Sequence, residues 1–206
     1  MSVVATLDQL GRYRDMGRRR EFKKLNRQGW DAARSLWRTL HSGAEPPPVT
    51  VPGLVLHGER CWGGAPIMYA RWCAADVDVR YGGFAAVGNP AFVLGASLAN
   101  SARNARLRRR TARMAAAQWR WHQSTVAFVT DRGVRCRVDG QLIPFDYSAV
   151  TGCWPELHNQ TLTLEFDRTY PLLLGGPWAV WTSVAVTYHL FGQQALHSEA
   201  LRPLVE

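Results

Sequence analysis

The sequence predicts an α+β domain, a strongly bent antiparallel sheet or barrel of about seven strands with a helix inserted into it and a helical segment at each end of the chain. Three observations carry this. From Ser124 to Leu174, apolar and polar residues alternate in short runs separated by turn residues, the pattern of a strand meander. Pro177 then opens a stretch with Trp178, Trp181, Val184, Tyr188 and Phe191 at helical spacing. Before the meander, residues 7–41 repeat Phe22, Leu25, Ala33, Leu36, Trp37 and Leu40 at steps of about three and four.

The first element is this basic amphipathic helical segment, assigned to residues 1–45. Arg18, Arg19, Arg20, Lys23, Lys24 and Arg27 fill its polar face, while Gly11, Gly17 and Gly29 interrupt it. Ser42-Gly43 stops it, and Pro46-Pro47-Pro48 makes residues 46–53 a stiff extended linker. The main domain is placed at 54–206. Two short strands are expected within 67–81, where Val77, Val79 and Tyr81 alternate with Asp76, Asp78 and Arg80 and Gly82-Gly83 ends the run. A helical insert follows at about 90–122, opening at Pro90, apolar and small to Ala102, then rich in arginine and closing on Trp119 and Trp121.

Five strands complete the sheet. Val126 and Phe128 alternate in the first. Asp131-Arg132-Gly133 turns into a second, in which Cys136 points inward between Arg135 and Arg137. Asp139-Gly140 is the strongest hairpin signal in the chain. A strand over Leu142–Val150 leads to a loop at Cys153–Asn159. Two more strands follow at Leu162–Phe166 and Tyr170–Leu174, and Gly175-Gly176 closes the last. The C-terminal helix is expected to cap one open end of the sheet with its tryptophan face.

Composition narrows the function. Nine Trp, seven Phe and six Tyr require a dry interior and exclude a disordered chain. No window of about 18 apolar residues occurs, and the first thirty residues are Arg-rich with no apolar stretch, so a cytoplasmic location is expected. The net charge of +9 is concentrated: residues 1–41 carry +6 and residues 96–123 carry +7, with the remainder net negative. Such segments suit an anionic partner, or equally a solvated helical face. Cys61, Cys73, Cys136 and Cys153 form no C-x-x-C pair and six histidines lack zinc spacing, so neither metal nor cofactor is expected. No phosphate loop, nucleophile elbow or zinc-protease motif is present, Asp76 and Asp78 read as a solvent-facing strand edge, and His158 reads as a polar loop residue. No catalytic residue is therefore assigned.

Local phrases add a resemblance over residues 54–192. Thr125–Cys136, TVAFVTDRGVRC, resembles the hairpin of bacterial pleckstrin-homology-like (PH-like) and GRAM-like domains. Phe145–Val150 is similar to a later strand of those domains, and Leu162–Asp167 with Tyr170–Gly176 and Pro177 resembles their ending. The Arg-rich stretch running into Gln118-Trp119-Arg120 is similar to a feature of uncharacterised actinobacterial relatives. The chain departs from the pattern at Arg132-Gly133-Val134, where Arg-Leu is usual, and in its long insert. The resemblance implies a PH-like superfold and a non-enzymatic adaptor that binds a protein or peptide. The familiar lipid-binding loop is not implied, because Ala74-Ala75 stand where its basic residues would be.

Three functional readings follow. The first is that protein or peptide interaction domain. The second is peripheral binding to an anionic membrane, which would place the protein at the inner membrane, through the helix at 7–41. The third is nucleic-acid binding through the Arg-rich helices, with Arg135 and Arg137 beside Trp119 and Trp121 as a stacking platform. The residues assigned to an anionic partner are Arg19, Arg20, Lys23 and Lys24 in the first helix and Arg106, Arg109, Arg110 and Arg113 in the insert.

Overall fold

The computed structural model describes residues 19–52, 56, 58–73 and 117–205, with side chains from residue 21 onward. Helix α1 spans Arg19–His41. Seven strands follow: β1 (Cys61–Cys73), β2 (Gln118–Thr130), β3 (Gly133–Val138), β4 (Gln141–Asp146), β5 (Val150–Glu156), β6 (Thr161–Phe166) and β7 (Leu172–Gly175). Helix α2 spans Ala179–Phe191. Short 3-10 segments occupy Tyr147–Ala149, Gln193–His197 and Glu199–Leu204.

All seven strands form one sheet in the order β4-β3-β2-β1-β7-β6-β5, with every adjacent pair antiparallel. The first and last strands are neighbours, joined over Met68–Arg71 and Leu172–Gly175. Among the described residues the sheet does not close into a barrel: β4 and β5 each pair on one side only. These two edge strands are consecutive in the chain, linked by the 3-10 turn at Tyr147–Ala149.

Local chemistry sets the meander. Asp139 and Gly140 both take positive φ, as a two-residue hairpin turn matched to strand twist requires. At the preceding turn, the Thr130 hydroxyl accepts hydrogen bonds from the Arg132 and Gly133 N–H groups at 3.2 and 3.1 Å. Cys136 is buried as the alternation predicts. One face of β1 and β2 meets the main core, and a smaller cluster of Cys61, Val126 and Phe128, flanked by Val51, Leu56 and Leu142, covers the other.

Helix α2 lies on the sheet, touching β1, β2, β5 and β6. It was expected to bury one stripe. Instead every residue from Ala179 to Thr187 is buried, because α1 packs on its other side. A helix that is apolar nearly all round needs such a sandwich. Trp181 is 3% exposed, whereas Phe191, assigned to the inner face, projects beyond the core and is exposed.

Helix α1 is therefore part of the body. Ala33, Leu36 and Leu40 belong to the same core cluster as the strands. Trp37 donates its indole N–H to the Leu196 carbonyl at 3.0 Å, and Gln193 donates to the His41 carbonyl at 3.3 Å. At the crossing of the two helices sits Gly29. A Cβ there would lie 2.1 Å from the Pro177 carbonyl oxygen, so only glycine permits this approach. The residue that weakens the helix in sequence is the one that docks it.

Several expected boundaries change. The expected insert helix does not extend to 122: Gln118 onward is strand β2, paired with the end of β1 through Trp72–Trp119 and Arg71–Arg120. The expected loop at Cys153–Asn159 is strand through Glu156, and the expected strand over Leu142–Val150 ends at Asp146 in β4, with a 3-10 turn before β5 begins at Val150. Cys61 to Cys73 is one 13-residue strand. The expected strand residues Val77, Val79 and Tyr81 and the helical insert from Pro90 to residue 116 lie outside the described residues.

Candidate functional site

The two free sheet edges differ. On β5, Gly152, Trp154 and Glu156 face Glu165, Thr163 and Thr161 of β6, and among the described residues the opposite side of the strand has no partner strand. Trp154 is 58% exposed, a large indole held out on an edge strand. Directly after it, Pro155 and Glu156 join Leu157, His158, Arg202 and Pro203 in lining an open groove of about 510 Å³ between the end of β5 and the last 3-10 segment. Two pairs in this region are internally bound: Asn159 donates to Glu156 at 2.8 Å, and Arg202 pairs with Glu199 at 3.3 Å. His158 is exposed at the rim.

Helix α1 presents a second surface. Its buried face carries Gly29, Ala33, Leu36 and Leu40, and at 3.6 residues per turn the opposite face carries Lys23, Lys24, Arg27, Arg34 and Arg38 with one acid, Asp31. Lys23, Lys24, Arg27 and Arg38 are exposed, and Arg34 lies over the Trp30 ring at 5.4 Å. Among the described residues, none of these five cations forms an ion pair. Arg19 and Arg20 occupy the first turn of the same helix. The assigned Arg106, Arg109, Arg110 and Arg113 lie outside the described residues. Arg34 and Arg38 were not singled out in sequence; their spacing of seven and eleven from Arg27 was the available signal.

The stacking platform is not assembled as expected. Arg135 is 6% exposed rather than outward. It bonds Glu59 through two nitrogens at 2.7 and 3.1 Å and Asp146 at 2.8 Å. Burial pushes the Glu59 carboxyl up, but hydrogen bonds from Arg135 and Thr130 outweigh it and hold the carboxyl below its ordinary value. This is a structural tie between the segment before β1 and the β3–β4 pair. Trp72 and Trp119 instead meet edge to face, with ring centres 5.3 Å apart, at the end of the β1–β2 ribbon.

Other reactive groups are muted. Burial pushes the Cys136 thiol up to about 12 and the Cys153 thiol up to about 11, so neither is a thiolate near neutrality. Burial holds His189 down to about 4, between the Trp62 ring at 4.0 Å and the Tyr147 ring at 5.4 Å. Among the described residues, no three His, Cys, Asp or Glu side chains converge as a metal set. Nor is any described helix long and apolar enough to cross a membrane. Compared with known proteins, the chain matches no family model, no curated protein and no solved structure.

Proposed function

We propose that the protein is a non-enzymatic interaction domain that holds a protein or peptide partner on a PH-like scaffold. Two features of the fold support the scaffold. The first and last strands pair side by side while the sheet stays open between β4 and β5, and the helix after the last strand lies on the sheet. That arrangement suits a strongly bent meander capped by its final helix.

The observation that carries the binding reading is Trp154. An unpaired strand edge offers a row of backbone N–H and C=O groups to which an extended peptide adds as an eighth strand. A rigid, exposed indole on that edge is the side-chain anchor such a site needs, since tryptophans dominate the energy of interfaces. The groove beyond Pro155 gives the added segment a place for a following side chain. Pro155 removes one N–H from the β5–β6 ladder, as an edge strand tolerates, while the backbone groups of Trp154 and Glu156 point to the open side.

The test is site-specific. A photocrosslinking amino acid is placed at position 154 and, as a control, at position 205, where Val205 is 63% exposed. The reading expects one discrete adduct from position 154 in the native cell and none from 205. The partner so identified should then bind the parent protein at least about tenfold more tightly than Trp154→Ala. Equal binding by both, or the same adducts from both positions, overturns it.

A further inference from the structure

The outer face of α1 is not used by the edge-binding reading. A helix docked lengthwise by its apolar side would ordinarily show a mixed polar surface. This one shows five cations and one acid. Lys23 and Lys24 are the only lysines in the chain, and both stand here. Among the described residues no ion pair ties up any of the five cations, and Asp31 is the one acid among them.

We infer that this face is a docking surface for a bilayer containing anionic lipid, held by charge alone. Such a surface complements the stripe in both charge and shape. From Lys23 to Arg38 the stripe runs straight for about 22 Å at 1.5 Å per residue. A flat anionic surface meets all five cations together, whereas duplex phosphates wind round a cylinder and curve away from a straight row. The rings that flank the face offer no open platform for bases: Trp30 is half-buried and covered by Arg34, and Trp37 is half-buried and stacked on His41. Lysine acts as a hydrated point charge, which suits fluid headgroups that present no fixed bidentate geometry.

The docked state of α1 fixes the kind of binding. Ala33, Leu36 and Leu40 are committed to the core, so this segment does not insert its apolar face as an interfacial helix would. The contact is electrostatic, shallow and reversible. Each cation near an anionic leaflet strengthens binding about fivefold, and the whole effect falls within a Debye length, about 10 Å at 0.1 M salt.

The experiment is co-sedimentation of the full chain with phosphatidylcholine vesicles, with and without about 30% phosphatidylserine, at about 50 and about 300 mM salt. The expected result is binding to the serine-containing vesicles alone, largely released at the higher salt. Lys23→Glu/Lys24→Glu should lose more than about tenfold in binding with an unchanged melting temperature. Arg27→Gln/Arg38→Gln, a milder pair, keeps the test valid if the reversal perturbs folding, and should lose about tenfold or more. A parallel titration with duplex DNA and RNA must be weaker. The inference is overturned by no binding to anionic vesicles at low salt, by variants that bind like the parent, or by nucleic acid binding as tightly as the vesicles. None of these outcomes bears on the Trp154 edge, whose crosslinking test is independent.

Discussion

Replacing Gly29 with alanine sets two physical effects against each other. In an exposed helix interior, glycine to alanine stabilises by about 1 kcal/mol, since alanine loses less backbone entropy. Here the added Cβ would sit 2.1 Å from the Pro177 carbonyl oxygen, 2.8 Å from its carbon and 3.4 Å from the Trp178 nitrogen. All three are backbone atoms, at the entry to α2, and cannot swing aside as a flexible side chain would. Relief requires α1 to retreat by about 1 Å, enough to forfeit a large part of the dispersion contact along its docked face. Overpacking of this kind costs about 1–3 kcal/mol, and a rigid backbone neighbour argues for the upper part of that range. The expected net result is a loss of about 1–2 kcal/mol. Tm should fall by about 2–4 °C for each kcal/mol in a chain of this size. Gln28→Ala, one residue away and exposed, should leave Tm within a degree or so of the parent. Thermal and urea unfolding of the three proteins decide it. A Gly29→Ala variant more stable than the parent would refute the close approach and with it the docking of α1.

Other outcomes follow from the core and its titrating groups. Trp181→Ala should cost about 3–5 kcal/mol by leaving a cavity between the sheet and α1, read by urea denaturation. Glu59→Gln should cost about 2 kcal/mol at pH 7, because Arg135 loses its main counter-charge in a nearly buried site while keeping Asp146. Glu59 has its folded value held below the unfolded one, so its contribution is present above the carboxylate range and lost as pH falls through it; the gap between parent and variant should close in acid. His189 works over a different window. Its folded value near 4 lies below the unfolded value of 6.5, so between these the unfolded chain binds the extra proton and stability falls with falling pH. The partly buried ring should lose about 1–2 kcal/mol between pH 7 and pH 4.5, and His189→Phe should flatten that slope in chemical denaturation at stepped pH.

How far the sequence foretold this molecule depends on which signal each element left. The hairpins at Asp131–Gly133 and Asp139–Gly140 were legible because turn chemistry and period-2 alternation agree there. Strand β5 was hidden: Gly152 and Pro155 interrupt its seven residues and read as loop, although an edge strand tolerates both. Strand β1 was legible only from Ile67 on; its first half was hidden by Gly63, Gly64 and Pro66 and by burial of both faces, which erases alternation. The helical reading of Trp119 failed because pairing of Gln118–Arg120 with Arg71–Cys73 overrides the propensity carried over from the Arg-rich run before it, and Trp121 falls at the bulge that follows. The polar face of α1 was visible residue by residue. Its docking was not, since the contact turns on one glycine meeting a carbonyl from about 150 residues away. Trp154 left no signal at all: one indole in a Gly- and Pro-containing stretch carries no period.

If a partner adds to the open edge of the sheet at β5, as proposed, amide hydrogen exchange measured with and without the captured partner will report it. Strand addition should slow exchange across Val150–Glu156, at amides that point away from β6, while the interior strands β1 and β2 change little. Protection confined to other surfaces, with β5 exchanging as it does in the free protein, would contradict the claim.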